Sequence, residues 1–365
     1  MEYVKLGEVA TFINGYAFKP SDWKKEGIPI IRIQNLTGNN REINYYQGKI
    51  DEKYHVKKGE ILISWSASID VYEWKGKNGY LNQHIFKVVF DKMDIDKDFF
   101  VYLIKNKLNE IKKYTHGSTM KHITKSKFDN IKIRIPSKEE QIKIANKLNK
   151  IIIIIEKQKE QLELLENLKK SQFFEMFGDP IKNEKGWKIK RLENILEINN
   201  KRKLLDSKKE YWLLNLEDIE QDSGRVILKK KVNYEKLPAS ISYFDKNWVL
   251  YSKLRPYLNK VVLSDEEGFC TSELLALKPN TKYITEIFLW KYLMNNSVLK
   301  YLETHVSGAK MPRVVINDFK NLKIILPPLE LQNKFATKIE AIQKLKFRKL
   351  KSIEKLKSQK IYKNF

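Results

Sequence analysis

One segment of this chain occurs twice, so any fold for it must accommodate two copies of one design. GSTMKHITKSKFDNIKIRIPSKEEQIKIANKLNK (117–150) aligns without a gap to GAKMPRVVINDFKNLKIILPPLELQNKFATKIEA (308–341), at an offset of 191 residues and with 12 of 34 positions identical. The identities include Gly117/Gly308, Met120/Met311, Phe128/Phe319, Pro136/Pro327, Glu139/Glu330 and Gln141/Gln332. A set so mixed in chemistry is not what an Ile- and Lys-rich chain produces by coincidence. Weaker echoes lie upstream in the same order. Residues 5–9 (KLGEV) match 191–195 (RLENI), 30–35 (IIRIQN) match 213–218 (LLNLED), 59–64 (GEILIS) match 247–252 (NWVLYS), and 79–84 (GYLNQH) match 268–273 (GFCTSE). The offsets drift from 183 to 191, as loop insertions would produce.

Each half has two parts. The first holds short β-branched and aromatic runs broken by Gly, Asn and Asp. IPIIRI, EILISW, HIFKVVF and IKIRIP are the expected strands of one half; WLLNL, WVLYS, LLALKP and LKIILP are those of the other. A helix is expected around 99–113. Regular strand–helix alternation is missing, so the fold class is α+β, with mixed α/β domains at 1–136 and 179–328.

The second part is a long helix, 137–178 in one half and 329–365 in the other. Pro136-Ser137 and Pro327-Pro328 end the preceding strands, and Ser137 with Glu140 fits a capping box. A stripe steps alternately by four and three through Ile144, Leu148, Ile151, Ile155, Gln158, Leu162, Leu165 and Lys169. That spacing is a coiled-coil seam with a polar position in its middle. Moving along by the repeat gives Phe335, Ile339, Ile342, Lys346, Lys349, Ile353, Leu356 and Lys360, the same seam with a weaker centre. Helices with matching seams most simply pack on each other. Paired antiparallel, they would relate the halves by a pseudo-two-fold axis. Gly178-Asp179-Pro180 stops the first helix.

Charge narrows the partner. Lys and Arg total 70 against 45 Asp and Glu, a net charge of +25. Residues 1–136 carry +8, 137–178 only +1, 179–328 +8 and 329–365 +8. Basic globular parts suit a polyanion, nucleic acid first. The single cysteine, Cys270, excludes an internal disulfide framework and a cysteine zinc site, and fits a reducing, cytoplasmic compartment. The longest aliphatic run, 151–155, is far short of the roughly twenty residues a membrane span needs, so no membrane partner is expected.

Catalytic signatures are missing. The chain has no G-x-x-x-x-G-K-S/T loop, no G-x-G-x-x-G after a strand and no Asn-Pro-Pro-aromatic tetrapeptide. Its histidines (His55, His84, His116, His122, His305) have neither H-x-x-x-H nor H-E-x-x-H spacing, which argues against a metal site.

Two variable basic domains, each followed by a repeated helix entered through I-P-x-x-x-E-Q (135–141) or L-P-x-x-x-x-Q (326–332), resemble the specificity subunit of type I restriction–modification systems. The opening K-L-G-E-V, the G-E-I-L-I-S and Thr271-Ser272-Glu273 segments, and the F-F-x-M-F-G-D run at 173–179 add to the likeness, which covers the whole chain. The resemblance implies a non-catalytic subunit whose two target-recognition domains each read one part of a split, asymmetric DNA site. It also implies helices that dock methyltransferase subunits, two of them, with restriction subunits able to join. S-adenosylmethionine, ATP and Mg are then expected only in those partners, and this chain binds no cofactor. The competing reading is a basic coiled-coil nucleic-acid scaffold unrelated to restriction.

Base reading needs polar side chains on loops that reach groove edges. The candidates are Gln34, Asn35, Ser66, Asn82, His84, Ser118, Thr119, Lys121 and His122 in the first domain. In the second they are Asn215, Lys253, Arg255, Tyr257, Ser272, Lys310 and Arg313. Lys121, Lys310 and Arg313 lead, because they lie in the paired Gly117/Gly308 loops.

Overall fold

The computed structural model describes residues 2–38, 43–66, 68–113 and 123–362. The chain divides into two compact units, residues 1–158 with 351–365, and residues 159–350.

In the first unit, Glu2–Lys5 pairs antiparallel with Lys132–Ile135, the strand that leads into the central helix. One four-stranded sheet runs in the order Thr11–Asn14, Ile85–Val89, Ile61–Ser64, Asp70–Glu73. A second runs Tyr45–Tyr46, Ile28–Ile31, Gly79–Leu81, His55–Val56, with its middle pair parallel. The Ile61–Ser64 strand is buried along its whole length, which explains its continuous apolar run. The core gathers Phe12, Phe86, Phe100 and Phe128, with the Phe12 and Phe128 rings edge-on at 4.9 Å. The helix Lys97–Lys113 packs beside it.

The second unit repeats this order. Lys188–Arg191 pairs with Lys323–Leu326. Its sheets run Leu196–Asn199, Leu274–Pro279, Val249–Ser252, Val261–Leu263, and Lys230–Asn233, Glu210–Leu214, Gly268–Thr271, Ile241–Phe244. Registers correspond as well: Ile30 faces Tyr80 as Leu213 faces Phe269, and Ser64 faces Ile85 as Ser252 faces Leu274. The turn ahead of the Ile61 strand needs a left-handed residue, met by Gly59 (φ 88°), and its counterpart is Asn247 (φ 65°). Cys270 is fully buried in the Gly268–Thr271 strand, its thiol pushed up to about 12 by burial.

One difference stands out among the described residues. Where the first unit has one helix, the second has two short ones, Glu286–Leu293 and Asn296–Glu303, the latter capped by Asn295, which accepts the Ser297 N–H at 2.9 Å. A hairpin, Val306–Ser307 with Arg313–Val314, carries the Gly308 loop.

The repeated glutamine is a staple at the same place in each unit. Gln141 accepts the Asp96 N–H at 2.8 Å and donates to Pro136 O at 2.9 Å. Gln332 accepts the Thr285 N–H at 2.9 Å, and donates to Pro327 O at 2.9 Å and Tyr283 O at 3.1 Å. Asp96 and Thr285 in turn cap the helices they precede, accepting the Phe99 and Phe288 N–H groups.

The central helix is Lys138–Phe177 and the C-terminal helix Leu329–Tyr362. Ser137 Oγ accepts the Glu140 N–H at 3.4 Å at the start of the first, and Gly178 (φ 76°) ends it. They pack together antiparallel. In the second unit Gln172 bonds Lys338, Glu166 bonds Lys346 and Gln161 bonds Lys349, so numbers rise on one helix as they fall on the other. In the first unit Gln158 donates to Ser352 Oγ at 3.1 Å, in the same sense. Leu148, Ile151, Ile155, Phe335, Ile339, Ile342 and Ile353 are buried, while Ile144, Leu162, Leu165 and Leu356 are partly buried. At the second unit's end, Phe173, Phe177, Phe288 and Phe335 interlock with centroids 4.8–5.7 Å apart.

Candidate nucleic-acid interface

In the second unit three segments meet at one junction. Lys253, just past the Val249–Ser252 strand, donates its N–H to Glu273 O at 3.1 Å and accepts the Val314 N–H at 2.9 Å. Leu254 bridges Arg313, and the Arg255 N–H reaches Pro312 O at 2.7 Å. Arg255 is left-handed (φ 50°, ψ 64°), a conformation costly for a residue with a Cβ and held here by that bond and by the following turn Pro256–Leu258. Tyr257 stands exposed at the tip of that turn. Glu273 takes Arg313 in a bidentate grip, Nε at 3.1 Å and Nη2 at 2.9 Å. That bond holds the Glu273 carboxyl below the usual carboxylate range.

The junction thus brings Lys253, Arg255, Ser272 and Arg313 together, with Lys310 exposed on the same hairpin as Arg313. Lys253 and Ser272 also line a cleft of about 730 Å³ with Arg202 and Lys320. Asn215 serves its own turn instead: its N–H and side-chain amide both donate to Asp218, at 2.9 and 3.1 Å, and close it.

The first unit has the same backbone junction with other side chains. Trp65 donates its N–H to His84 O at 3.2 Å and accepts the Ile123 N–H at 3.1 Å. His84 stands where the second unit has Glu273. Its Nε2 lies 3.1 Å from Gln83 Nε2, and its Nδ1 is buried with no partner among the described residues. Burial first, then the nearby Arg32, pulls its pKa below the ordinary histidine value. Arg32 lies 4.6 Å over the Trp23 ring and donates to Asn44 Oδ1 at 2.7 Å.

Other first-unit candidates are engaged in structure. Ser66 and Asn82 are 2% and 8% exposed, because the chain beside them is tied into the sheet, as by the Asn82 N–H on Ile31 O; their side chains do not stand at the surface. Asn35 accepts the Arg32 N–H at 2.9 Å as a cap, the counterpart of Asp218. It also lines a cleft of about 580 Å³ with Tyr45, Tyr72 and Trp74, rimmed by Lys75 and Lys77. Gln34 is partly buried on the same short helix. Ser118, Thr119, Lys121 and His122 lie outside the described residues.

Sequence reasoning passed over Arg32, Trp65, Arg202, Glu273 and Lys320. Arg32 left a signal, as a charge at the end of an otherwise apolar strand run; Glu273 left none until its partner was known.

Among the described residues no group of three or more His, Cys, Asp or Glu could hold a metal, and no helix is long and apolar enough to cross a membrane. The family profile described as Type I restriction modification DNA specificity domain matches residues 1–167 and again 184–358. The chain belongs to that family. It is therefore a DNA specificity subunit of a type I restriction–modification system, a family that supplies recognition and not catalysis.

It is 23% identical over 376 residues to the type I restriction enzyme EcoBI specificity subunit of Escherichia coli, covering 93% of this chain and 78% of that one. To the MjaVIII specificity subunit of Methanocaldococcus jannaschii it is 25% identical over 399 residues, covering 98% and 90%. In fold, the type I S subunit from M. genitalium matches with a TM-score of 0.58 at 16% identity, over 98% of this chain and 93% of that one. A chain from a structure concerned with complex assembly and conformational transition of the type I R-M system matches at 0.62 and 15%, over 98% and 95%.

Proposed function

We propose that this specificity subunit reads a split, non-palindromic DNA site, with residues 1–136 taking one part and 179–328 the other. The observation that carries this is the junction built twice. The backbone bonds at 65, 84 and 123 are those at 253, 273 and 314, while the side chains they present differ in charge and shape. One scaffold with two sets of reading groups yields two unlike sequences. The +8 charge of each domain supplies phosphate attraction to both.

The long helices set the spacing between the two parts and dock the catalytic partners, two methyltransferase subunits, with restriction subunits joining the complex. S-adenosylmethionine, ATP and Mg act in those partners. A 40-residue helix is about 60 Å long, enough to separate two parts by more than half a DNA turn. For docking, the helices expose Ile153 and Ile154 in the first unit, and Leu164, Leu168 and Phe347 in the second, apolar groups a partner would cover.

Co-expression with an adenine methyltransferase encoded beside this chain, followed by methylome sequencing, tests the reading. A two-part asymmetric motif is expected, and a four-residue insertion in both helices should lengthen its spacer. A contiguous or palindromic motif overturns split reading, and an unchanged spacer overturns the ruler.

A further inference from the structure

We infer that Arg313 reads a guanine in the part of the target assigned to the second unit, and that Glu273 is the positioning residue that aims it. This rests on the reading that this unit contacts DNA bases. Arg313 meets Glu273 side-on, through Nε and Nη2. A guanidinium gripped along that edge keeps its other edge, Nη1 with the second hydrogen of Nη2, directed away from the carboxylate. That edge has the two-donor spacing that pairs with O6 and N7 of guanine in the major groove.

The surroundings fit a reading head. The Arg313 side chain is 43% exposed and Glu273 is 30%, so the pair sits at the surface and not in the core. Two parallel N–H to carboxylate bonds fix the plane of the guanidinium, and so the direction its outer edge faces. Its base is rigid by other means: the backbone bonds Lys253 to Glu273, Val314 to Lys253 and Arg255 to Pro312 fix both ends of the pair without it. Lys253, on the neighbouring strand end, adds a positive charge beside it, suited to a phosphate. In the first unit the residue at the equivalent place is His84, which cannot brace a guanidinium in this way, so the two units present different groups from the same position.

The test uses the full chain co-expressed with its methyltransferase, with methylome sequencing, DNA affinity and thermal unfolding read for each variant. Arg313→Lys keeps the charge and loses the two-donor edge. It should relax one guanine position in one part of the motif, leave the other part unchanged and weaken cognate binding by about ten- to a hundredfold. Glu273→Gln should relax the same position with a smaller loss of affinity. The double variant E273R/R313E restores an ion pair with the guanidinium moved to the other segment; it should unfold like the parent yet fail to restore the guanine. Restoration of the parental motif by that double variant would show a purely structural tie and overturn the assignment. So would an unchanged motif in Arg313→Lys. A parental complex with no two-part motif would instead overturn the split reading beneath it.

Discussion

At residue 84 the first unit holds an imidazole whose buried Nδ1 has no partner among the described residues; at residue 273 the second holds a carboxylate gripping a guanidinium. Both sit on the same backbone bonds, at the same step of matched strand pairings. The contrast separates what the scaffold needs from what it presents. Ladder registers, the glutamine staples and the aromatic cores carry the fold; Trp65, Ile123 and Val314 pack into those cores, while the side chains at 84 and 273 are not part of them and differ between the units on the same backbone. Deeper positions differ too. Phe335 occupies in the second unit the place of Ile144 in the first, and Lys291 the place of Tyr102, whose hydroxyl donates to Asn149.

The largest effect that would sharpen this comparison lies in the aromatic knot. Phe335→Ala should cost about 3–5 kcal/mol, and Ile144→Ala, at a partly buried site, no more than about 2 kcal/mol, by denaturant unfolding. Equal losses would show that the two units depend alike on these matched helix positions. Next come the staples. Gln332→Ala removes three buried hydrogen bonds and should cost about 2–3 kcal/mol, against about 1–2 kcal/mol for the two bonds of Gln141→Ala.

Lys291 should act in the opposite direction. Burial, then Lys169, lowers its pKa to about 7, with Lys346 and Lys170 adding to the repulsion and Glu166 opposing it. Because the folded value lies below the unfolded one of 10.5, the penalty for the ammonium builds as pH falls from about 10.5 and is complete below about 7. Lys291→Met should therefore stabilise the protein by about 2 kcal/mol at neutral pH, and should abolish the rise in stability that the parent shows from pH 7 towards 10; melting curves across that range decide it. The smallest effect is at the left-handed turn. Gly59→Ala should cost about 1 kcal/mol, while Asn247→Gly stays within about 0.5 kcal/mol, since glycine accepts that conformation freely.

Much of this was legible because it is written in short-range spacing. The seam shows as steps of four and three, the repeat as matching Gly, Met, Phe, Pro and Gln, and the strands as β-branched runs that coincide with the observed ones. The split of one helix at Met294 and Asn295 was not read, because the break is made by a single capping asparagine. The interface was harder for a different reason. Ser66 and Asn82 have polar side chains that suit DNA, yet burial follows from tertiary pairing, which one-dimensional spacing does not encode. Arg313 was a candidate on its charge and position, while its partner Glu273 lies 40 residues away and meets it only through the sheet. The capping role of Asn35 and Asp218 was within reach, since each lies three residues after the N–H it accepts.

The buried thiol has a practical consequence. Cys270 is the chain's only sulfhydryl and sits in an interior strand of the second unit, with Leu214 on one side and Ser242 on the other. A thiol-reactive dye cannot reach it until that sheet parts. Its labelling rate is then a clock for the opening of the second unit alone, readable in the unmodified protein.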